Sequence, residues 1–336
     1  MKIGIVGSGI VGRLLAWHLC QANHEVHLFT KGSEQSEDAC SIIAAGMISP
    51  YAELPLLTLP LHQIGCRAFD WWPIILNSLP YPVHYQTKGT LVVCSPKQKA
   101  LLQHFIGLIQ YKLPAFSLAI LSERELNAIE PALSNVIGCH LPEAQVPPPQ
   151  LFKAMNDFFA KQGVIWHSHH DVNGITSSNI DCEKAFDKTV DCRGMGAKPS
   201  LPNLRGVRGE IIQCYAKEVQ LQHTIRLLHP RFPCYIVPQE NHHFAIGATQ
   251  IESESTQGVT FRSALELMGQ ASMLHPGFFE ASIISLNVGC RPTTDNHMPL
   301  VNECEGVLSL NGMSRHGFMF APELTAQVAA KWKQVA

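Results

Sequence analysis

Hydrophobic and polar positions follow two different periods along this chain, and its N-terminal part shows both. Residues 2–6 form a β-branched run that predicts a buried parallel strand. Apolar side chains over residues 13–22 then recur at the spacing of a helix that packs on a sheet, and residues 25–29 predict the next strand. The order strand, turn, helix, strand is the first half of a dinucleotide-binding unit.

Helix signals recur in the middle and at the end of the chain. The capping-box sequence at residues 122–125 predicts a helix over residues 123–129. Residues 151–162, which follow three prolines, predict another helix. Pro322 is expected in the first turn of a C-terminal helix that runs to about residue 332.

Alternating apolar and polar residues predict strands in the second half of the chain. These strands are expected over residues 163–167, 189–191, 209–216, 234–237 and 243–247. The last three suggest an antiparallel sheet, and residues 189–191 run into a turn that contains Gly194 and Gly196. Because no low-complexity linker or internal repeat is visible, we expect two discontinuous domains that intertwine.

Length and composition narrow the class of protein. The 336 residues suggest about two domains. With 46% hydrophobic and 15% charged residues, the chain can bury a large core, which excludes intrinsic disorder. A net charge of −2 without a Lys/Arg-rich block disfavours a nucleic-acid coat or a polybasic membrane anchor.

Targeting signals and cysteine spacing point to the cytoplasm. No secretory signal and no apolar run of about 18 residues is visible. The 11 cysteines are scattered without a C-x-x-C pair, so a disulfide framework or zinc ribbon is disfavoured. The histidine-rich stretches at residues 167–170 and 242–243 lack supporting carboxylate or cysteine spacing, and we expect no metal site.

A glycine motif sits between the first strand and the first helix. Gly7, Gly9 and Gly12 have the G-x-G-x-x-G spacing, which allows a tight turn and close approach of the backbone to a pyrophosphate. The residue that ends the second strand is usually acidic and binds the adenosine ribose, but here it is Thr30. Lys31 beside it is compatible with a 2′-phosphate, so the motif alone leaves FAD, NAD and NADP open.

A run of small residues after the second strand distinguishes these cofactors. Residues 41–50 read S-I-I-A-A-G-M-I-S-P, and small side chains there let the backbone crowd a bulky planar ring. The run resembles the flavin-contacting A-A-G-M segment of glycine oxidases, which belong to the D-amino-acid-oxidase family of FAD-dependent amine oxidases.

Further segments resemble this family in the same order along nearly the whole chain. They are E-P-x-L at residues 130–133, residues 146–151, the segment 170–172, the glycine turn 191–197, V-R-G-E at 207–210, Y-I-V-P at 235–238, G-A-T at 247–249, G-C-R-P at 289–292 and G-M-S-R-H-G at 312–317. The resemblance implies an α/β fold in which a Rossmann-like FAD-binding domain of the glutathione-reductase type is interleaved with an α+β substrate domain on an antiparallel sheet. The implied FAD-binding domain comprises residues 1–82, 143–207 and 290–336, and the substrate domain comprises residues 83–142 and 208–289.

The resemblance also implies a non-covalently bound FAD and the residues that contact it. The implied cofactor-binding residues are Gly7, Gly9, Ile10, Val11, Gly12, Thr30, Lys31, Ser41, Ala44, Ala45, Gly46, Met47, Val172, Gly194, Gly196, Arg291, Gly312, Arg315, His316, Gly317, Phe318 and Met319. The segment 170–172 is expected to be a strand in which the backbone of Val172 meets the adenine.

The implied chemistry is oxidation of a small amino acid or amine. By resemblance, Arg291 clamps the substrate carboxylate, for which the planar guanidinium fork suits better than Lys. Tyr235 adds a hydroxyl to the same carboxylate, and Arg315 helps it or lines the flavin. Glycine oxidases often carry a His two residues before this tyrosine; here that position is Pro233, and either His229 or His316 is a candidate to replace it.

Several functions stay open at this point. The leading hypothesis is deamination of glycine or another small amino acid with O2 as acceptor, in thiamine thiazole synthesis. The alternatives are a D-amino-acid or N-substituted-glycine dehydrogenase that reduces a quinone, a relative of the FAD domain that modifies tRNA wobble uridine, an NADP-dependent dehydrogenase, and a flavoprotein without turnover. A homo-oligomer is compatible with all of them.

Overall fold

The computed structural model describes residues 1–181, 184–231 and 233–333. Its strands are β1 Lys2–Val6, β2 Glu25–Phe29, β3 Met47–Ile48, β4 Thr90–Cys94, β5 Ile137–Leu141, β6 Ala144–Gln145, β7 Ile165–His167, β8 Asn179–Ile180, β9 Lys184–Ala185, β10 Lys188–Asp191, β11 Leu204–Tyr215, β12 Thr224–Leu227, β13 Cys234–Pro238, β14 His243–Gly247, β15 Ile251–Glu252, β16 Ser282–Thr294, β17 Leu300–Cys304 and β18 Val307–Asn311. Its α-helices are α1 Ile10–Gln21, α2 Leu59–Asn77, α3 Lys99–Lys112, α4 Glu123–Ile129, α5 Pro148–Gln162, α6 Phe261–Leu274 and α7 Gly317–Lys333.

A six-stranded sheet in the order β17-β18-β10-β1-β2-β7 forms the first layer. All neighbours are parallel except β17 and β18. Its central strands are fully buried, and helix α1 packs Leu14, Leu15 and Leu19 into the same core as α2, α5 and α7. The predicted strand–turn–helix–strand unit at the N-terminus is therefore confirmed.

A second sheet has the order β15-β11-β14-β13-β12-β4-β5, with β16 pairing with β11. One face packs against α6, and the other carries Ile211, Val237 and Ala245 towards Ala45 and Met47, which lie at the start of the short β3–β6 sheet. The sheet is antiparallel as expected except for β4 and β12, which run parallel. The α/β fold class is thus confirmed, with that single parallel pair as a correction to the sheet.

Strands β11 and β16 connect the two layers. They pair antiparallel from Leu204 opposite Thr294 to Tyr215 opposite Ser282, with one irregularity between Gln213 and Cys214. Two of the domain boundaries expected from sequence, 207/208 and 289/290, fall inside these continuous strands rather than in linkers. The division into FAD-binding and substrate domains stays a prediction.

The C-terminal helix differs from its prediction. It begins at Gly317, so Pro322 lies inside the helix instead of in its first turn. A proline at this position has no N–H for the carbonyl of Phe318, four residues earlier. The indole Nε1 of Trp72 donates to that carbonyl at 3.0 Å, which satisfies it from outside the helix. Because Trp72 is distant in sequence from Pro322, the residues around Pro322 gave no sign of this contact.

Other element boundaries moved by a few residues. Helix α4 matches its prediction and has the capping box. Helix α5 begins earlier than expected, at Pro148, because proline is tolerated in the first turn, and Gly163 ends it at φ 73°. The segment 170–172, expected to be a strand, is a loop because Asp181 Oδ1 accepts from the N–H groups of the next two residues.

The described part of the chain has no helix long and apolar enough to cross a membrane. Ten cysteines in these ranges are free thiols, and Cys182 lies outside the described residues.

A buried ion pair holds the end of the second sheet together. Arg208 and Glu210 are 4% and 0% exposed, and the Arg208 Nε donates to Glu210 Oε1 at 2.9 Å. Arg208 also donates to the carbonyls of Ser255, Gln257 and Gly258, so it fixes the loop that leads into α6.

We expect Arg208→Met to lower the free energy of unfolding by about 3–5 kcal/mol, because it leaves Glu210 buried without its partner. Arg205→Met is the matched control on the same strand. Its ion pair with Glu252 is largely exposed, so a loss below about 1 kcal/mol is expected. Urea unfolding measures both, and equal losses in the two variants would contradict the assignment.

Candidate active site

The glycine motif forms a turn that only glycine permits. Gly7 has φ 107°, and a Cβ on it would lie 2.4 Å from the carbonyl oxygen of Cys192. A Cβ on Gly12 would lie 1.8 Å from the carbonyl oxygen of Gly7. The first turn of α1 is therefore pressed against the end of β1.

Two more glycine turns meet this one at the same edge of the first sheet. Gly194, at φ 57°, follows β10, and Asn311 at the end of β18 donates to its carbonyl at 3.0 Å. Gly312 continues from Asn311 at φ 71°. A Cβ on Gly317, at the start of α7, would lie 3.1 Å from Ile10 Cγ2, so the beginnings of α1 and α7 are in contact.

This edge fits the pyrophosphate of a dinucleotide. The N-cap of α1 is Gly9, which has no side chain to cover the first turn, and Ser41 Oγ accepts from the N–H of Ile10 at 3.1 Å. Helix N–H groups and the helix dipole favour an anion at such a position. Gly196 lies in the turn after β10 that faces this loop.

The residues predicted to bind the adenosine part of the cofactor make contacts within the protein. Thr30 is 5% exposed and accepts a hydrogen bond from Ser8 Oγ at 2.7 Å. The carbonyl of Val172 accepts from Arg193, and its side chain is buried. Lys31 extends along the surface to an ion pair with Asp171 at 2.8 Å, so its ammonium group is directed to that carboxylate. Hence the 2′-phosphate interpretation of Lys31 is not supported.

A cavity of about 750 Å³ lies between the second sheet, the segment 40–56, helix α6 and the start of α7. One wall is the small-residue run, where Gly46 has φ 68° and a Cβ would lie 1.8 Å from the carbonyl oxygen of Val146. The facing wall includes Ile211, Val237 and Ala245. The predicted site residues that line this cavity are Ala44, Ala45, Gly46, Met47, Tyr235, Arg291, Arg315, His316, Phe318 and Met319.

Arg291 faces this cavity with its charge uncompensated. Its Nη1 donates to the carbonyl of Thr249 at 3.1 Å, and no described carboxylate forms an ion pair with it. A Cβ on Gly209 would lie 2.1 Å from Arg291 Nη2, so the missing side chain on β11 makes room for the guanidinium. Burial lowers the pKa of Arg291.

Glu53 is the centre of a polar cluster that the sequence analysis missed. Its Oε1 accepts from the Tyr235 hydroxyl at 2.8 Å, its Oε2 accepts from Arg315 Nε at 2.9 Å, and Arg226 Nη1 lies 3.5 Å from Oε1. Burial raises its pKa, but Arg226, Arg315, His316 and Tyr235 more than offset this and hold it well below the usual range. Glu53 therefore stays ionised and neutralises cations in the cavity.

Arg315 and Tyr235 are both hydrogen-bonded to Glu53. Arg315 Nη1 also donates to Gln250 Oε1 at 2.8 Å. His316 lies 3.9 Å from Glu53, and burial together with the neighbouring arginines lowers its pKa to about 4, so it is neutral at pH 7. Pro233 lines the cavity as well, whereas His229 does not appear in its lining.

Glu143 lies behind this cluster and was also missed. It is 2% exposed, and its Oε1 accepts from the N–H of Ala52 at 2.6 Å while Oε2 has no hydrogen-bond partner. Burial raises its pKa to about 7, with Glu53 adding to the rise and the hydrogen bonds and Arg226 opposing it. Sequence offered one clue to Glu53, which is the single charged residue between positions 39 and 66.

Comparison with known proteins identifies the family. A family model described as FAD dependent oxidoreductase matches residues 2–332. The chain belongs to this FAD-dependent oxidoreductase family. Its cofactor is therefore FAD, and the glycine turns and the small-residue wall fit a dinucleotide with a planar ring. No cluster of three or more potential metal ligands occurs among the residues that the structure describes.

The similarity to individual relatives extends over almost the whole length of this chain. It is 33% identical over 334 residues to the putative thiamine biosynthesis oxidoreductase ThiO of Rhizobium etli, covering 98% of this chain and 96% of that protein. It is 24% identical to glycine oxidase of Geobacillus kaustophilus, covering 95% of this chain and 89% of that protein.

Solved structures share the fold. The crystal structure of the Geobacillus kaustophilus glycine oxidase superimposes with a TM-score of 0.85 at 23% identity, covering 99% of this chain and 94% of that one. Iminodiacetate oxidase from Chelativorans sp. gives a TM-score of 0.82 at 20% identity, covering 98% and 95%. At these identities, the likeness establishes the fold alone.

The pKa of Glu143 predicts a pH-dependent stability. Folding raises it from 4.5 to about 7, so the folded state retains a proton that the unfolded state loses, and stability falls as pH rises through this window. Glu143→Gln removes this loss. Its unfolding free energy relative to wild type should therefore increase between pH 5 and pH 8, by at most about 3 kcal/mol.

Urea unfolding at the two pH values measures this change. Glu218→Gln, at an exposed position, is the control and should show no such increase. A difference between Glu143→Gln and wild type that stays constant with pH would contradict the raised pKa.

Proposed function

We propose that this FAD-dependent oxidoreductase oxidises the amine of a small amino acid, with glycine as the first candidate, to an imine that water hydrolyses to a keto acid and ammonia. The observation that carries the proposal is the guanidinium of Arg291, which lines the cavity beside the second sheet and forms no ion pair with a described carboxylate. An α-amino acid has the carboxylate that a planar guanidinium binds with two parallel hydrogen bonds.

The cluster around Glu53 supports the assignment of Arg291 to the substrate carboxylate. Glu53 forms ion pairs with both Arg226 and Arg315, whereas Arg291 has no ion-pair partner among the described residues and is the one of these three arginines assigned to an anion. In this proposal Arg291 binds the carboxylate directly, while Tyr235 and Arg315 shape the site through Glu53. Bound FAD supplies the acceptor for the hydride that leaves Cα.

The cofactor contacts are part of the proposal. The glycine turns at residues 7–12, 194–196 and 312–317 are assigned to the pyrophosphate side, and the wall at residues 44–47 with Phe318 and Met319 to the ring. We assign a non-covalent FAD, as the family resemblance implies.

The finer biological setting is proposed on other grounds. Resemblance to the ThiO protein supports a role in thiamine biosynthesis, and resemblance to glycine oxidase supports O2 as acceptor. The free thiols support a cytoplasmic location, and exposed apolar side chains such as Phe279, Ile283 and Ile284 support a homo-oligomer. Cell fractionation and sedimentation of the purified protein test the last two points.

An anaerobic visible spectrum tests the reaction class. We expect a flavin spectrum that bleaches when glycine is added, because hydride transfer removes the oxidised flavin absorbance. A flavin spectrum that bleaches with sarcosine or D-amino acids but not with glycine would keep the reaction class and replace glycine as the substrate. A protein that takes up no FAD after reconstitution, or whose flavin no amine bleaches, would contradict the proposal.

Arg291→Lys tests the carboxylate contact. A lysine keeps the charge but loses the planar fork, so we expect the KM for glycine to rise about tenfold to a hundredfold while the flavin spectrum is unchanged. The control is Arg262→Lys, whose side chain is largely exposed at the same cavity, and it should change KM less than about twofold. If both variants behaved alike, Arg291 would not be the clamp.

A further inference from the structure

Arg13 is a fully buried arginine, and the charge of Glu34 acts on it without forming an ion pair. It lies in α1 directly after Gly12, is 0% exposed, and is packed against Phe152, whose ring centroid lies 4.3 Å from Arg13 Cζ. All of its hydrogen-bond acceptors are uncharged groups, and no described carboxylate forms an ion pair with it. The acceptors are the carbonyl of Ser8 at 2.8 Å, Asn156 Oδ1 at 2.5 Å, Ser36 Oγ at 3.0 Å and the backbone carbonyl of Glu34.

A chain of buried hydroxyls leads from Arg13 to Thr30. Ser36 Oγ lies 2.6 Å from Ser8 Oγ, which donates to Thr30 Oγ1 at 2.7 Å. Ser36, Ser8 and Thr30 are 0%, 4% and 5% exposed. Each hydroxyl has one proton, and a guanidinium only donates. Ser36 Oγ is placed to donate to the Ser8 hydroxyl and also to the Ser8 backbone carbonyl, at 3.2 Å. Because the Ser8 proton is donated to Thr30 Oγ1, the Thr30 proton is left for a further acceptor.

Thr30 occupies the position that contacts the adenosine ribose in dinucleotide-binding folds. It directly follows β2, at 18 residues beyond Gly12, where dinucleotide-binding folds place an acidic residue that accepts from the ribose hydroxyls. A carboxylate at this position only accepts hydrogen bonds, whereas Thr30 at the end of a polarised chain donates one.

We propose that the relay Arg13–Ser36–Ser8–Thr30 replaces the missing carboxylate and binds the adenosine ribose of FAD by donating a hydrogen bond to a ribose oxygen. Arg13 acts as a positioning residue through the two serines, and Thr30 is the contact. The proposal rests on FAD as cofactor and not on the amine that the enzyme oxidises.

A comparison of two ligands tests this relay. FAD-free protein is titrated with FAD and with the analogue that lacks both adenosine ribose hydroxyls, and flavin fluorescence reports binding. We expect wild type to prefer FAD by about five- to tenfold, the value of one hydrogen bond. Thr30→Val should reduce this preference to about one, whereas Thr30→Ser, which keeps the hydroxyl, should retain it.

Two further variants separate positioning from a general structural role. Arg13→Met and Ser36→Ala should each lower the FAD preference, and Ser33→Ala, an exposed serine of the same loop, should not. If Arg13→Met fails to fold, Ser36→Ala still tests the relay, because it leaves the other Arg13 hydrogen bonds intact. A structural role would weaken both ligands equally.

Equal binding of the two ligands by wild type would overturn the proposal. A preference that survives in Thr30→Val, or in both Arg13→Met and Ser36→Ala, would overturn it as well. Because no substrate is used, the outcome is independent of whether glycine reduces the flavin.

Discussion

The pairing of β11 with β16 is the constraint on which the site depends. The ladder begins beside the first sheet, where Leu204 pairs with Thr294, and ends deep in the second, where Tyr215 pairs with Ser282. Arg291 is carried on this ladder, and Gly209, opposite Gly289, clears the space that its guanidinium occupies. A shift of the register by one residue would turn Arg291 to the other face of the strand. Backbone hydrogen bonds between two distant segments thus fix the direction of the one cavity arginine proposed to meet the substrate.

The charged side chains of the cavity are arranged so that Arg291 stays without an ion-pair partner. Arg226 and Arg315 would repel each other and compete with Arg291 for an anion if they were unpaired. Glu53 reduces this repulsion, because it pairs with both arginines and is held ionised by their charges. Glu143, close behind, has fewer compensating contacts, so burial dominates and its pKa rises. Two glutamates in one cluster therefore have opposite protonation behaviour because their hydrogen-bond and ion partners differ.

Features with a local physical cause were predictable from sequence, and features with a distant cause were not. The glycine turn at residues 7–12 and the capping box of α4 depend on neighbouring backbone, and both were located correctly. Pro322 was misplaced because Trp72, far away in sequence, satisfies the carbonyl that the proline leaves unpaired. Glu53 was missed because its partner Arg315 lies 262 residues away. Arg291 and Tyr235 came from resemblance to a family, and the structure adds that the tyrosine reaches the cavity already bonded to Glu53.

The arginines of this protein show why burial and pairing must be considered together. Arg208 is buried in an ion pair with Glu210, so its charge is balanced within the fold, and it stabilises a loop. Arg291 and Arg13 are enclosed without a carboxylate partner, and a buried charge of this kind is costly unless something offsets it. For Arg291 the carbonyl of Thr249 supplies one acceptor, and a carboxylate in the cavity would supply the opposite charge. For Arg13 it comes from carbonyls and hydroxyls, which the charge polarises in turn, and that polarisation ends at Thr30, beside the glycine loop. Two arginines without a carboxylate ion pair therefore lie at the proposed substrate site and behind the proposed adenosine-ribose contact.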